Sequence, residues 1–223
     1  DIPEGRVILD LAPISRDNIW GCGYYGMIYH YDGNTWEIVD TVETNSNTDY
    51  YLHTIVETNG KIYITGANLY NNGTNSTNYL IKGDGNSFSI IDSVELVQGE
   101  QPNEWADRLF KDKNGNIYSH GFSDKIFRLK ENDKFELAYD FKNEDDRIGN
   151  LEDYVNGQLL AISYSGKLFR CSNGNVELIK DFGTYFPESI HVRDVEYIDG
   201  EIFVVGYSLG GWPNVTYVFH GHE

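Results

Sequence analysis

Short runs of alternating apolar and polar residues, broken by Gly, Asn and Asp, fill the chain from one end to the other. Alternation over four to eight residues predicts half-buried β-strands. The runs form a repeating set of three. In the first set Asn18 to Gly23 precedes Met27 to Tyr31 and Trp36 to Val39. The second has Lys61 to Gly66, Tyr79 to Lys82 and Phe88 to Ile91; the third has Asn116 to Gly121, Lys125 to Leu129 and Phe135 to Leu137. Gln158 to Ser163, Lys167 to Arg170 and Val176 to Ile179 make the fourth, and Glu201 to Gly206 with Val215 to Phe219 the fifth. One more strand precedes each set, over Val7 to Leu11, Leu52 to Val56, Ala106 to Phe110, Asn150 to Tyr154 and Val192 to Tyr197.

Turn chemistry joins these runs in order. Asn59-Gly60, Asn114-Gly115, Asn156-Gly157 and Asp199-Gly200 link the first strand of a set to the second. Asp32-Gly33, Asp84-Gly85 and Asn173-Gly174 link the third to the fourth. Such dipeptides supply the positive φ angles of tight hairpins. The bulky positions Trp20, Tyr63, Tyr118, Leu160 and Phe203 recur at intervals of 43, 55, 42 and 43 residues. The long interval reflects extra residues near Asn71 to Asn78 and Gln98 to Asn103. Several strands per unit at this period predict an all-β fold, a five-bladed β-propeller of four-stranded antiparallel blades. The blades span about 7–41, 51–94, 105–141, 148–182 and 191–223 of one domain covering 1–223, the last without its fourth strand. The rival architecture is a β-sandwich, which needs no long-range repeat.

Composition narrows the functions open to this fold. The 223 residues are 40% hydrophobic, enough for a core, and Lys and Arg total 17 against 35 Asp and Glu, a formal charge of −18. That balance repels nucleic-acid phosphates and anionic membranes. No apolar run reaches the roughly 18 residues of a membrane span. The chain begins with Asp1 rather than Met, as a processed or trimmed chain does; removal of an export signal fits this, and a secreted or cell-surface setting is the expectation. Cys22 and Cys171 fall in the first and fourth blades, on different strands, and are expected to remain buried thiols.

A propeller's first strands line a central channel, and the loops between blades and between second and third strands crowd at one mouth. Here those inner loops carry aromatics just past the second strand: Tyr24, Phe122, Tyr164 and Tyr207, with Tyr25 and Trp212 nearby. Such rings stack on sugars or hold apolar ligand faces; packing on the neighbouring blade is the alternative. The loops between blades add His53, Trp105, Arg108 and Arg193, together with Asp49, Arg147, Asn150 and His191. They suit charge-assisted bonds to a polar ligand, or a solvated ring of weak ion pairs. Asp107, Glu152 and Asp194 are the carboxylates a glycosidase would place across the channel.

Other motifs carry less. His220-Gly221-His222 offers two exposed imidazoles near the chain end, and Asp112-Lys113-Asn114-Gly115 is accounted for by its hairpin. Asn72-Gly73-Thr74, Asn75-Ser76-Thr77 and Asn214-Val215-Thr216 match the N-glycosylation acceptor. No metal site and no cofactor is implied.

The string Gly23 to Trp36, with Ile28-Tyr29-His30-Tyr31-Asp32-Gly33 at its centre, resembles the repeat of bacterial propellers of the broad kelch- and BNR-like group. The other copies keep the spacing and lose the string. Neither the kelch Gly-Gly doublet nor the sialidase Asp-box is present. The resemblance therefore implies an architecture and no named activity. Three functions remain: a non-enzymatic extracellular binding module for a carbohydrate, or next a peptide or protein, at the channel mouth; a hydrolase or lyase using channel carboxylates on a glycan; and a structural domain that assembles into oligomers through its unclosed last blade.

Overall fold

The structure, a computed structural model, describes residues 7–43, 50–69, 75–97, 108–121, 123–141, 147–185, 190–208 and 216–221. It is a β-propeller of four four-stranded antiparallel blades and one three-stranded blade. The first blade runs β1 (Ile8–Ser15), β2 (Asn18–Gly23), β3 (Met27–Tyr31), β4 (Trp36–Thr41). The second is β5 (Tyr50–Thr58), β6 (Lys61–Leu69), β7 (Asn75–Gly83), β8 (Phe88–Val97), and the third β9 (Arg108–Lys111), β10 (Ile117–His120), β11 (Lys125–Leu129), β12 (Phe135–Asp140). β13 (Ile148–Asp153), β14 (Leu159–Ser163), β15 (Lys167–Ser172) and β16 (Asn175–Asp181) make the fourth; β17 (Ile190–Ile198), β18 (Glu201–Ser208) and β19 (Thr216–Gly221) the fifth.

Two kinds of turn close the hairpins. Asn59, Asn156, Asn173 and Asp199 have positive φ, and so does the Gly after each, as expected. Asp32 and Asp84 work differently. Their carboxylates accept backbone N–H groups two and three residues on, from Asn34 and Thr35 at 2.8 Å and from Asn86 and Ser87 at 3.0 and 3.4 Å, so the side chain makes the turn. Asp112 does the same for Asn114 and Asn116 and also accepts the Asn116 amide. Its oxygens are thus committed to its own hairpin.

The recurrent bulky residues occupy one register position. Trp20 pairs across the sheet with His30, Tyr63 with Lys82, Tyr118 with Arg128, Leu160 with Arg170 and Phe203 with His220. Four apolar clusters join consecutive blades. Trp20 packs with Ile55 and Ile64, Tyr63 with Leu109 and Phe127, Tyr118 with Leu151 and Phe169, and Leu160 with Val195 and Val204. Consecutive blades pack on one another in order: β1 on β5, β5 on β9, second strand β10 on β13, and β13 on β17.

The repeat also shows where this packing stops. Ile28, Leu80, Ile126 and Leu168 share one position facing the next blade and are buried, whereas Val218, in the same position of the fifth blade, is 65% exposed. Ile55, Leu109, Leu151 and Val195 face the preceding blade and are buried, whereas Leu11 in the first blade is 48% exposed. Cys22 and Cys171 are buried free thiols. Among the described residues no helix is long and apolar enough to cross a membrane.

Candidate functional site

The inner strands share one recurring irregularity. The pairing of inner strand to second strand skips a residue at Leu9 in β1, His53 in β5, Gly149 in β13 and Arg193 in β17. A bulge leaves one residue unpaired and re-aims its side chain. His53 and Arg193 therefore stand at equivalent points of their blades. The bulge also lies across from a small residue of the second strand: Gly23, Gly66, Ser163 and Gly206. A Cβ on Gly66 would lie 2.6 Å from the Tyr51 carbonyl oxygen, and one on Gly23 would lie 1.9 Å from that of Val7. At Gly23 and Gly66 the approach leaves no room for a Cβ, whereas Ser163 takes the same position in the fourth blade.

Just beyond the bulge, every inner strand carries a polar residue in one register position: Asp10, Thr54, Arg108, Asn150 and Asp194. Three of them tie one blade to the next. Asp10 Oδ2 accepts the N–H of Ile55 at 2.9 Å, Thr54 Oγ1 accepts that of Leu109 at 2.9 Å, and the Asn150 amide donates to Asp194 Oδ1. The Asp194 carboxylate also accepts the N–H of Val195 at 2.9 Å. Arg108 differs: among the described residues its half-buried guanidinium forms no hydrogen bond or close ion pair. Burial pushes the Asp10 carboxyl above its ordinary range, while the Ile55 and Leu11 N–H groups and the Arg108 charge act the other way.

Two titratable groups, one buried and one half-buried, flank this belt. His120 pairs with Arg108 across β9 and β10 and is buried. Burial, and then the Arg108 charge, pull its imidazole down to about 3, so it is neutral at pH 7. Its Nδ1 has no hydrogen-bond partner. Glu152 is pushed up to about 7, first by burial and then by Glu196 and Asp153, with a smaller push from Asp194.

The loop aromatics divide into two groups. Tyr24 meets Tyr51 of the next blade edge-on, with ring centroids 4.9 Å apart. Tyr164 meets His191 of the next blade at 4.6 Å. These are equivalent contacts, so both rings bridge neighbouring blades. His191 stacks on Tyr207 at 5.4 Å; the Arg193 guanidinium lies 5.5 Å from the Tyr207 ring centre and donates to its hydroxyl at 3.2 Å. Tyr25 is turned outward, 56% exposed, with φ of 60° and its N–H bonded to the Tyr50 carbonyl at 2.7 Å. Trp105, Asp107, Phe122 and Trp212, with Asp49, Asn72 and Asn214, lie outside the described residues.

The structure thus brings Arg108, Glu152, Asp194, His53 and Arg193 onto inner strands, places Tyr24 and Tyr164 along the joins between blades, and packs Tyr207 against His191 and Arg193 of its own blade. Asp10, Thr54 and His120 belong to the same site, and residue type alone does not single them out. Aligning the five repeats position by position identifies Asp10 and Thr54, because they share a column with Arg108. No group of three or more His, Cys, Asp or Glu able to hold a metal occurs among the described residues.

No family model matches the chain, and no curated sequence does. Solved structures do share its fold. YCF48 bound to D1 peptide superposes with a TM-score of 0.62 at 17% identity, over 96% of this chain and 66% of that one. A protein of unknown function from Bacteroides caccae gives 0.58 at 10% identity over 94% and 74%. The WD40 β-propeller domain of Doa1 gives 0.55 at 14% over 99% and 71%. The chain spans just under two thirds of the YCF48 chain. The fold is thus a β-propeller shared by peptide-bound, WD40 and other proteins, and at these identities the likeness extends to fold alone.

Proposed function

We propose that the chain is a non-enzymatic binding module of the kelch- and BNR-like propeller group, secreted or cell-surface, whose ligand is a polypeptide segment bearing a carboxylate. The observation that carries this reading is Arg108. It is a half-buried cation on inner strand β9, without hydrogen bonds among the described residues. Its five N–H donors match a carboxylate in paired geometry. Arg193 and His53 stand at the bulges above, where a second polar contact can form. Peptide is preferred to carbohydrate because the Tyr24 and Tyr164 rings lie against neighbouring blades. The peptide-bound YCF48 structure, distant as it is, supports the same ligand class.

The test is a binding panel of acidic peptides and neutral oligosaccharides against the chain and its Arg193→Gln variant. Saturable peptide binding, weakened in the variant, supports the proposal. Binding confined to oligosaccharides contradicts it.

A second reading has one specific observation behind it. The Glu152 carboxyl, on inner strand β13, is pushed up to about 7 by burial first and neighbouring carboxylates second, the direction a general acid requires. Glycan hydrolysis that Glu152→Gln abolishes would establish that reading instead.

A further inference from the structure

At the end of the blades away from Tyr24 and Tyr164, each blade's two hairpin turns meet the face of the blade before it. The joins are closed there in different ways. Between the first and second blades an aromatic ring does it: Trp20, 4.4 Å from His30 and 5.8 Å from Phe88, covers the Gly85 turn. Between the second and third blades a carboxylate does it. Leu129 pairs with Phe135, so five residues, Lys130 to Lys134, make the outer turn of the third blade. That turn sets Asp133 against the second blade, where it accepts the Tyr63 hydroxyl at 3.0 Å and Lys82 Nζ at 2.6 and 2.7 Å.

The third and fourth blades repeat half of that arrangement. Tyr118 and Arg128 hold the register positions of Tyr63 and Lys82. The fourth blade's outer turn is shorter: Ser172 pairs with Asn175 around Asn173-Gly174, and the turn brings no carboxylate to them. A cleft of about 540 Å³ lies at this join, with Tyr118 and Arg128 on one wall and Asn156, Gln158 and Asn173 on the other. Two carboxylates of the third blade also line it, and both are engaged. Asp112 accepts the N–H groups of Asn114 and Asn116, and Glu136, opposite Arg128 in register, lies 3.4 Å from Lys130. Among the described residues Arg128 bonds the Asn116 side chain and no carboxylate, as His30 bonds Asn18 in the first blade. That single bond leaves most of its five donors for another acceptor.

We infer that this cleft binds a hydroxylated carboxylate, a sugar acid of the uronic type. Its carboxylate takes the place at Tyr118 and Arg128 that Asp133 holds at Tyr63 and Lys82. Bonds from a guanidinium to a carboxylate are charge-assisted and fix the ligand's orientation. The hydroxyls meet the exposed side chains of Asn114, Asn156 and Asn173, amides that both donate and accept. The site is separate from that of Arg108, which pairs with His120 at the end of the β9–β10 hairpin away from its turn, and it does not rest on the reading given for that residue.

The probe is D-glucuronate, titrated into the isotopically labelled chain at pH 7 and low salt while its backbone amide resonances are followed. Saturable shifts are expected around Asn116, Asn156 and Asn173, with affinity that falls as salt is raised. D-glucose, which lacks the carboxylate, and propionate, which lacks the hydroxyls, should each bind about tenfold more weakly or worse. Arg128→Gln should lose about tenfold or more, and Arg128→Lys, which reproduces the second blade's pair, should lose less. Asn173→Asp keeps a residue type that tolerates the positive φ of this exposed turn; it sets a like charge at the cleft and should weaken binding severalfold with the fold intact. Arg108→Gln should leave binding at this cleft unchanged. Absence of saturable shifts, equal binding of D-glucose or of propionate, or undiminished affinity in both Arg128→Gln and Asn173→Asp overturns the inference.

Discussion

Asp10 of the first blade accepts the backbone N–H of Ile55 in the second, Oδ2 to N at 2.9 Å. The bond crosses the join between two inner strands, where Thr54 makes the same connection to Leu109. Removing the acceptor leaves a half-buried N–H without its partner, which costs about 1–3 kcal/mol. Asp10→Ala should lose that amount of stability in denaturant melts. Asp10→Thr, which places the second blade's residue in the first, should recover part of it.

The bulge that aims His53 and Arg193 depends on a second strand without a side chain opposite. Gly66→Ala puts a methyl group 2.6 Å from the Tyr51 carbonyl oxygen. A backbone oxygen cannot step aside cheaply, so a loss of at least about 2 kcal/mol is expected. Gly60→Ala, at a turn where no atom lies within 4 Å but φ is +72°, tests strain alone and should cost about 1 kcal/mol. Thermal melts of the two variants separate close approach from backbone strain.

Glu152 and His120 give the fold opposite pH dependences. The folded value of Glu152, about 7, lies above its ordinary 4.5. Its contribution is therefore complete below pH 4.5 and is lost as pH rises through 7. A carboxyl that titrates one pH unit higher in the folded chain than in the unfolded one changes stability by about 1.4 kcal/mol, less at a half-buried site that solvent screens. Glu152→Gln should raise the melting temperature at pH 8 and leave it nearly unchanged at pH 4.5.

His120 behaves in the reverse sense. Its folded value, about 3, lies below the ordinary 6.5, so the unfolded chain takes up a proton first. Stability is complete above pH 6.5 and falls as pH drops toward 3, with a limiting slope of about 1.4 kcal/mol per pH unit. His120→Val, matching Val205 at the equivalent position of β18, should flatten the acid limb of the stability curve between those values.

Most of the architecture is legible in the sequence, because a repeat states each feature several times. The spacing of Trp20, Tyr63, Tyr118, Leu160 and Phe203 marks five second strands in one register, and the Asn-Gly turns mark their hairpins. The site is only partly legible. Residue type points to His53 and Arg193, but their equivalence comes from a bulge, which has no composition signature beyond the glycine across from it. For Tyr24 and Tyr164 the sequence leaves ligand stacking and packing on the neighbouring blade both open, because loop position does not reveal which blade a ring leans on. His120 sits in an ordinary strand with nothing in the sequence to mark it, since only tertiary packing sets its burial against Arg108.

The carboxylate-binding role proposed for Arg108 is tested most directly by titrating the tightest-binding acidic peptide from the panel into the chain and into Arg108→Gln by calorimetry at pH 7. Loss of about tenfold or more in affinity is expected, since a charge-assisted hydrogen bond is worth about 1.5–3 kcal/mol, with no loss when the peptide's carboxylates are amidated before comparison of the two proteins. Equal affinity of the unmodified peptide for both proteins would contradict it.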